Sequence, residues 1–147
     1  MMDFGPIYID HIGIATPNLE EGSRFWELLG LKQGSVDEHV EDQGVVTRFF
    51  STDPSPGDSH PPNIELLEPT GEATPIGKFL AKRGPGIQQL CLSVSNLSGL
   101  LEYLQQHGIQ LIDEHPRQGA GGHMIAFVHP RSTGGVLVEL AQRESTP

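Results

Sequence analysis

The chain has 147 residues and a formal net charge of −10 at pH 7, with 36% hydrophobic residues, 18 Gly and 12 Pro. This length suits one domain, or two small fused ones, and the many turn-forming residues favour a globular protein rich in β-structure. The negative charge argues against nucleic acid and anionic membranes as partners, because both attract basic patches, and no apolar run approaches the roughly 20 residues that cross a bilayer.

The chain start and the cysteine content indicate a compartment. The first residues show no basic region followed by an apolar stretch, so we expect no signal peptide. Cys91 is the single cysteine and can form no internal disulfide, which agrees with a reducing environment. The sequence therefore predicts a cytoplasmic protein.

In chain order, the first half reads as one strand, one helix and three further short strands. These elements are predicted at 9–15, 19–29, 32–36, 44–51 and 63–68. Asn18 is suited to cap the helix, and Gly30 lies where a helix commonly ends in a left-handed residue. Within the helix, the spacing of Phe25, Leu28 and Leu29 puts these three side chains on one apolar face.

The second half repeats this order after a linker. Its elements are predicted at 76–82 (a short helix within the linker), 88–94, 98–106 (a helix), 110–114, 123–129 and 136–141. Asn96 and Gly108 stand at the beginning and end of the second long helix. Leu100, Leu101 and Leu104 form the apolar face of that helix.

The two halves also match residue by residue. Residues 10–19 align with residues 88–97 at an offset of 78. This offset also aligns the Asn-Leu turns of the two halves and the glycines that follow their helices. A second match near offset 74 sets 63–66 beside 137–140. Because the matches occur in the same order at nearly the same spacing, they indicate a duplicated βαβββ unit.

The duplication defines the predicted fold class, which is α+β. We expect one domain, 7–147, made of two tandem βαβββ modules at about 7–69 and 87–142, joined by a linker at 70–86. The segment 53–62, rich in Pro, Ser and Asp, is expected to be a turn-rich insertion within the first module.

The repeat brings four polar side chains into paired positions. His11 corresponds to Gln89 on the first strand of each half, and Glu65 corresponds to Glu139 on the last. A carboxylate within an apolar strand needs a cation, hydrogen bonds or solvent, because burying it alone is unfavourable. If the two halves curl their sheets toward each other, the four groups converge. One imidazole, one amide oxygen and two carboxylates suit Mn²⁺, Co²⁺, Ni²⁺ or Zn²⁺.

Each of these residues also has a purely structural interpretation. Glu65 and Glu139 could face solvent from half-exposed strands, and His11 could be a hydrogen-bonded structural histidine. Cys91, two residues after Gln89, is expected in the core, where lone cysteines usually lie. The shared place of the four polar residues in a duplicated frame favours a common metal site over these separate explanations.

Four stretches are more specific than the repeat itself, and they lie at 10–15, 64–69, 75–84 and 129–140. Together they resemble the vicinal oxygen chelate (glyoxalase/bleomycin-resistance) superfamily, and within it the methylmalonyl-CoA epimerase family. The similarity covers nearly the whole chain. The resemblance implies paired βαβββ modules that form an open, barrel-like cleft around one divalent metal ion.

The resemblance further implies a reaction and its residues. In that family the metal chelates the carbonyl oxygens of a malonyl-type thioester and stabilises the enolate that remains when the α-proton leaves. An acid/base residue on each side of the enolate removes and returns the proton. His11, Glu65 and Glu139 fall on metal-ligand positions, and Gln89 falls on the fourth. Glu139 also falls on one acid/base position. An acyl-CoA substrate and a homodimer are implied as well.

Two residues depart from the family pattern. Gln88-Gln89 replaces a His-His pair, and the Gln89 amide oxygen is a weaker donor than imidazole. Thr47 occupies the position of the second acid/base glutamate, and a hydroxyl is far too weak an acid or base to exchange a proton near pH 7. Arg48 cannot substitute for that glutamate, because strand alternation turns it away from Thr47.

Three functions follow from this pattern. The first is a metal-dependent epimerase or isomerase that abstracts an α-proton from an acyl thioester, by resemblance to methylmalonyl-CoA epimerase. The second keeps the metal but uses Glu139 as a single base, as in a glyoxalase-type isomerase or a lyase. The third is a non-catalytic protein that binds a small molecule, as some relatives of this fold do.

Overall fold

The structure, a computed structural model, describes residues 4–52 and 62–143. The predicted insertion at 53–62 lies outside these residues except for its last position. The described residues form the following elements: β1 (Tyr8–Ala15), α1 (Leu19–Leu28), β2 (Lys32–Gln33), β3 (Glu38–Val40), β4 (Val45–Ser51), β5 (Asn63–Pro69), α2 (Pro75–Arg83), β6 (Gly86–Val94), α3 (Leu97–Gln106), β7 (Arg117–Gln118), β8 (Met124–Val128) and β9 (Val138–Gln142). No helix among these residues has the length and apolar character that crossing a membrane requires.

The chain divides into two compact units. The N-terminal unit comprises the described residues of 10–88, and the C-terminal unit comprises 4–9 with 89–143. The predicted α+β class is confirmed, since each unit combines a helix packed on one face with a sheet of mixed strand direction. The module boundaries at 7–69 and 87–142 stay a prediction.

The described residues of the two units share a sheet pattern, except that two short strands pair with β4 and one pairs with β8. In the N-terminal unit, β1 pairs with β5 in parallel, β5 pairs with β4 antiparallel, and β2 and β3 both pair with β4 antiparallel. In the C-terminal unit, β6 pairs with β9 in parallel, β9 with β8 antiparallel and β8 with β7 antiparallel. The duplication read from the sequence is therefore a duplication of strand pairing.

Both long helices begin and end within one residue of their predicted bounds. The Asn18 side chain accepts hydrogen bonds from two backbone N–H groups of α1, and the Asn96 side chain accepts one from α3. These contacts satisfy N–H groups that have no partner within a helix. Gly30 and Gly108 follow the helices with φ of +82° and +80°, a backbone conformation that glycine adopts without a steric penalty.

Each helix start is also tied to the last strand of its own unit. Leu19 N donates to Glu68 Oε1 at 2.9 Å, and Leu97 N donates to Gln142 Oε1 at 2.7 Å. Glu68 and Gln142 are 74 residues apart, which is the offset of the second sequence match. The repeat therefore preserves a helix-to-strand contact as well as the strands.

The predicted apolar face of α3 is confirmed, whereas that of α1 is wrong. Leu100 and Leu101 are buried in a cluster with β6, β8 and β9. In α1, by contrast, Phe25, Leu28 and Leu29 are 60%, 74% and 57% exposed.

The inward stripe of α1 contains a polar residue, which explains the error. Leu19 and Ser23 are buried and Trp26 packs against the core of the unit. Ser23 is accommodated there because its hydroxyl donates to the Leu19 carbonyl and accepts from the Arg48 guanidinium. A buried serine therefore interrupts the apolar spacing on the side that packs.

The short strands also differ from prediction. Of 32–36 only two residues form β2, and β3 (Glu38–Val40) was not predicted. The strand predicted at 110–114 is reduced to a single bridge between Leu111 and Val128. The Asp113 carboxylate accepts a hydrogen bond from Phe127 N at 2.9 Å. A side-chain oxygen therefore occupies the position that a backbone carbonyl of a neighbouring strand would have in a regular sheet. The first strand after α3 is instead β7, which begins seven residues past the start of the predicted strand.

Candidate functional site

In the N-terminal unit, His11 and Glu65 lie together on the sheet face opposite α1. Ile12 and Ile14 pack on the α1 side of β1, so the alternate residue His11 faces the other way. His11 and Glu65 are 6% and 3% exposed, and His11 Nε2 lies 3.4 Å from Glu65 Oε1. The imidazole and the carboxylate therefore form a buried pair.

Asp10 orients the His11 ring from its other nitrogen. The Asp10 Oδ2 oxygen lies 2.7 Å from His11 Nδ1, and the Asp10 side chain is 47% exposed. A carboxylate that accepts the Nδ1 proton directs the Nε2 lone pair toward Glu65, the arrangement commonly found around metal-binding histidines. Two electron-pair donors facing each other suit a cation, either a proton on His11 or a metal ion.

In the C-terminal unit, Gln89 and Glu139 form the corresponding pair. Gln89 and Glu139 are 4% and 5% exposed, and Gln89 Nε2 donates to Glu139 Oε1 at 2.9 Å. Because the amide nitrogen donates to the carboxylate, the amide oxygen is the Gln89 atom that can serve as a ligand. This donor set is compatible with a divalent ion of intermediate hardness.

Register shows that the two pairs occupy equivalent places in their units. In the N-terminal unit Glu65 is flanked by Gly13 and Phe49, and in the C-terminal unit Glu139 is flanked by Cys91 and Phe127. His11 and Gln89 each precede the flanking residue of the first strand by two positions. Cys91 is fully buried, as predicted.

Two phenylalanines beside the glutamates were not predicted from the sequence. Phe49 and Phe127 are 78 residues apart, so the offset of the repeat contained the signal that would have found them. The Phe49 ring meets the His11 ring edge-on at a centroid distance of 5.6 Å. In each unit a phenylalanine therefore stands directly opposite the glutamate of the buried polar pair.

Thr47 lies two residues before Phe49 in β4, on the same face of the sheet as Phe49 and Glu65. It is 2% exposed, and its hydroxyl donates to the Glu38 backbone oxygen at 3.4 Å. Arg48 points to the opposite face, where it contacts α1 through Ser23. The prediction that Arg48 turns away from Thr47 is confirmed.

Glu38 was not considered in the sequence analysis, because no strand was predicted at its position. It is the first residue of β3 and stands directly opposite Thr47 in the antiparallel register with β4. Directly opposed residues on neighbouring strands share a face of the sheet. Glu38, which is half-buried, therefore belongs to the face that carries His11 and Glu65.

Comparisons with known proteins agree with this arrangement. The profile of the glyoxalase/bleomycin resistance protein/dioxygenase superfamily matches residues 10–127. The chain is 40% identical over 135 residues to the uncharacterized protein YqjC of Bacillus subtilis, with 91% of each chain covered. It is 34% identical to the mitochondrial methylmalonyl-CoA epimerase of Dictyostelium discoideum, over 92% of this chain and 78% of that relative.

The similarity extends to solved structures. A variant of Streptomyces coelicolor methylmalonyl-CoA epimerase in complex with 2-nitronate-propionyl-CoA matches with a TM-score of 0.85 and 31% sequence identity. That match covers 95% of this chain and 98% of the other.

Proposed function

Because this chain belongs to the glyoxalase/bleomycin resistance protein/dioxygenase superfamily, with the vicinal oxygen chelate fold of methylmalonyl-CoA epimerases, we propose that it is a metal-dependent epimerase or isomerase of an acyl thioester. The observation that carries the proposal is the pair of buried carboxylates, Glu65 and Glu139. Each occupies the same register position in its unit, beside a phenylalanine and within hydrogen-bonding or ion-pairing distance of a polar partner.

A divalent ion fits the chemistry of these donors. We propose that His11, Glu65, Gln89 and Glu139 together hold one ion of Co²⁺, Mn²⁺, Ni²⁺ or Zn²⁺. Such an ion, when bound, supplies Lewis-acid stabilisation of negative charge on a carbonyl oxygen, worth several kcal/mol.

The protein's own residues have distinct tasks in this proposal. Glu139 exchanges a proton with the α-carbon, because it is the buried carboxylate at the acid/base position that the resemblance assigns. The Gln89 amide, at 2.9 Å, orients the Glu139 carboxylate, and Asp10 orients His11. Positioned proton transfer of this kind contributes roughly 10²–10⁴-fold to a rate.

The proposal includes the form in which the protein acts. The substrate is an acyl-CoA thioester, which the ligand of the similar Streptomyces coelicolor enzyme supports. A homodimer is expected from the resemblance, and a cytoplasmic location from the single cysteine and the chain start. Sedimentation equilibrium of the full chain tests the dimer directly.

Thr47 favours a second candidate, a reaction with one base. If Glu139 alone moves protons, the chain would catalyse a glyoxalase-type isomerisation, in which the same base removes and returns the proton on one side, or a lyase step, in which the base removes the proton as a group leaves the neighbouring atom. A non-catalytic binding protein is the remaining alternative.

One experiment separates these functions. Metal-loaded protein is supplied with each stereoisomer of methylmalonyl-CoA in D₂O, and deuterium at the α-carbon and inversion are followed by NMR. Exchange with inversion supports the epimerase, and exchange with retention supports the one-base enzyme. No exchange by protein that holds a metal contradicts the proposed substrate, and absence of both metal and exchange supports the binding protein.

A matched pair of variants controls for folding. Glu139→Gln is expected to lose exchange while it retains the circular dichroism spectrum of the parent. Glu102→Gln changes an exposed glutamate of α3, so it should keep the parent rate.

A further inference from the structure

We propose that Glu38 is the second acid/base residue of this enzyme, in place of the glutamate that Thr47 replaces. This inference rests on the proposed function, because epimerisation of an α-carbon needs a proton donor or acceptor on each side. It assigns that task to a residue which the sequence pattern alone does not reveal.

The strand register carries the first step of the argument. Glu38 is the direct antiparallel partner of Thr47, and Thr47 lies two residues before Phe49, the partner of Glu65. The Cβ atoms of directly opposed residues are about 4.5–5.5 Å apart. The Glu38 carboxylate can therefore extend over Thr47, into the space that a glutamate side chain at position 47 would occupy.

The position of the residue before Glu38 agrees with this orientation. Asp37 is held on the α1 side of the sheet by two hydrogen bonds from Arg48, at 2.9 and 2.8 Å. Consecutive residues of an extended chain project to opposite faces. The position of Asp37 on the α1 side therefore agrees with the register, which places Glu38 on the face of Thr47 and Glu65.

The exposure of the residues supports the same role. Thr47 is buried, whereas Glu38 is half-buried. An acid/base group at the boundary with solvent can exchange its proton with water between turnovers, as a residue that returns a solvent proton must.

The carboxylate of Glu38 has no counterpart at the equivalent position of the C-terminal unit. Ile125, 78 residues after Thr47, is opposed by Arg117 of β7 in the same way that Thr47 is opposed by Glu38. Arg117 pairs with Asp113 at 3.2 Å and stacks on Phe127. A guanidinium cannot accept a proton, so at this position of the repeat the acid/base group comes from the N-terminal unit.

The proton balance of the reaction is complete with these two residues. The ionised Glu38 carboxylate accepts the α-proton, and the electron pair of the broken C–H bond moves into the thioester carbonyl to give an enolate. Protonated Glu139 then donates its proton to the other side of the α-carbon, and the carbonyl re-forms. Glu38 ends protonated and Glu139 ionised, and the reverse reaction exchanges their tasks without an oxidant or reductant.

The test measures exchange from each isomer separately in the Glu38→Gln variant. With methylmalonyl-CoA in D₂O, we expect exchange from one stereoisomer and the epimerisation rate to fall at least about 100-fold. Exchange from the other isomer should continue with retention of configuration, since Glu139 still serves that side. Metal content and the calorimetric affinity for the thioester should stay within about threefold of the parent, because Glu38 acts on the transition state.

Two further variants distinguish catalysis from a structural effect. Thr47→Glu in the Glu38→Gln background should recover epimerisation at least about tenfold, because it restores a carboxylate to the same place. Glu41→Gln removes an exposed charge three residues away and should leave both exchange rates unchanged.

Each remaining outcome overturns the inference. Parent-like exchange of both isomers by Glu38→Gln excludes Glu38 as a proton carrier, and equal loss from both isomers with no recovery by Thr47→Glu identifies a structural residue. Absence of exchange by the metal-loaded parent protein removes the proposed function itself, which is a distinguishable result.

Discussion

The Arg48 guanidinium holds the Asp37 carboxylate with two parallel hydrogen bonds, from Nε to Oδ1 at 2.9 Å and from Nη2 to Oδ2 at 2.8 Å. Its Nη1 atom donates to Ser23 of α1 at 2.9 Å. The hydrogen bonds from Arg48 hold the pKa of the Asp37 carboxyl below its usual value, and those to Asp37 raise the pKa of Arg48. One side chain of β4 therefore joins α1 to Asp37, the residue directly before β3.

Replacing Asp37 with Asn should lower stability in a pH-dependent way. At pH 7 we expect the free energy of unfolding to fall by roughly 1–3 kcal/mol, since the variant loses charge-assisted bonds to a buried cation. The folded-state pKa of Asp37 lies below its ordinary value of 3.8, so its stabilisation is complete above that value and disappears as the pH falls through the lower one. Urea denaturation between pH 3 and pH 7 measures the difference.

Glu20 provides the control for this prediction. Its carboxylate lies 3.1 Å from Arg48 Nη2 but its side chain is 80% exposed, so Glu20→Gln should change the free energy of unfolding by less than about 1 kcal/mol. A gap between Asp37→Asn and the parent that persists unchanged at pH 3 would contradict the assigned pairing.

The exposed face of α1 can be tested against the buried face of α3. Leu28 is 74% exposed and Leu101 is 1% exposed. Leu101→Ala should lower the free energy of unfolding by about 2–5 kcal/mol through cavity formation, and Leu28→Ala by no more than about 0.5 kcal/mol. Thermal and urea denaturation at a low and a high protein concentration give the comparison. A large, concentration-dependent loss in Leu28→Ala would show that another copy of the chain covers this helix.

The long elements were predictable because their patterns are local. Asn18 and Asn96 signal helix starts through a direct side-chain contact, and the repeat aligned the halves without any structural knowledge. The inward side of α1 was not predictable, since the buried Ser23 hydroxyl accepts from Arg48, a residue 25 positions away, in addition to its local bond to the Leu19 carbonyl. The spacing of hydrophobic residues does not identify a buried polar residue whose hydrogen-bond partner lies far away in the sequence.

The residues of the candidate site were likewise predictable only in part. His11 and Glu65 were identified from their repeat partners, and the structure brings them within 3.4 Å. Glu38 gave no signal, because β3 has three residues, too few for an alternating pattern. Its position became evident only from the register of β3 with β4.

Removal of the metal should affect stability and exchange together. Protein dialysed against a chelator is expected to lose α-proton exchange, and addition of Mn²⁺ or Co²⁺ at about 100 times its dissociation constant should stabilise the folded state by roughly 2.7 kcal/mol. For a chain of this size that corresponds to a rise in Tm of roughly 5–10 °C. Exchange that survives chelation, with no change in Tm on adding metal, would argue for a metal-free reaction.

Substitution at Gln89 tests the weakest of the proposed ligands. Gln89→His supplies an imidazole, a stronger donor than an amide oxygen for Co²⁺ or Zn²⁺, so we expect the metal dissociation constant to fall by about tenfold or more. Gln89→Leu removes the donor and also the 2.9 Å hydrogen bond to Glu139, and it should weaken metal binding by a similar factor.

Gln88→His is the matched control, because Gln88 alternates to the other side of β6. Titration calorimetry of all three variants decides the matter: equal metal affinity in Gln88→His and Gln89→His would mean that position 89 is not a ligand, and that the Gln89 amide serves only to orient Glu139.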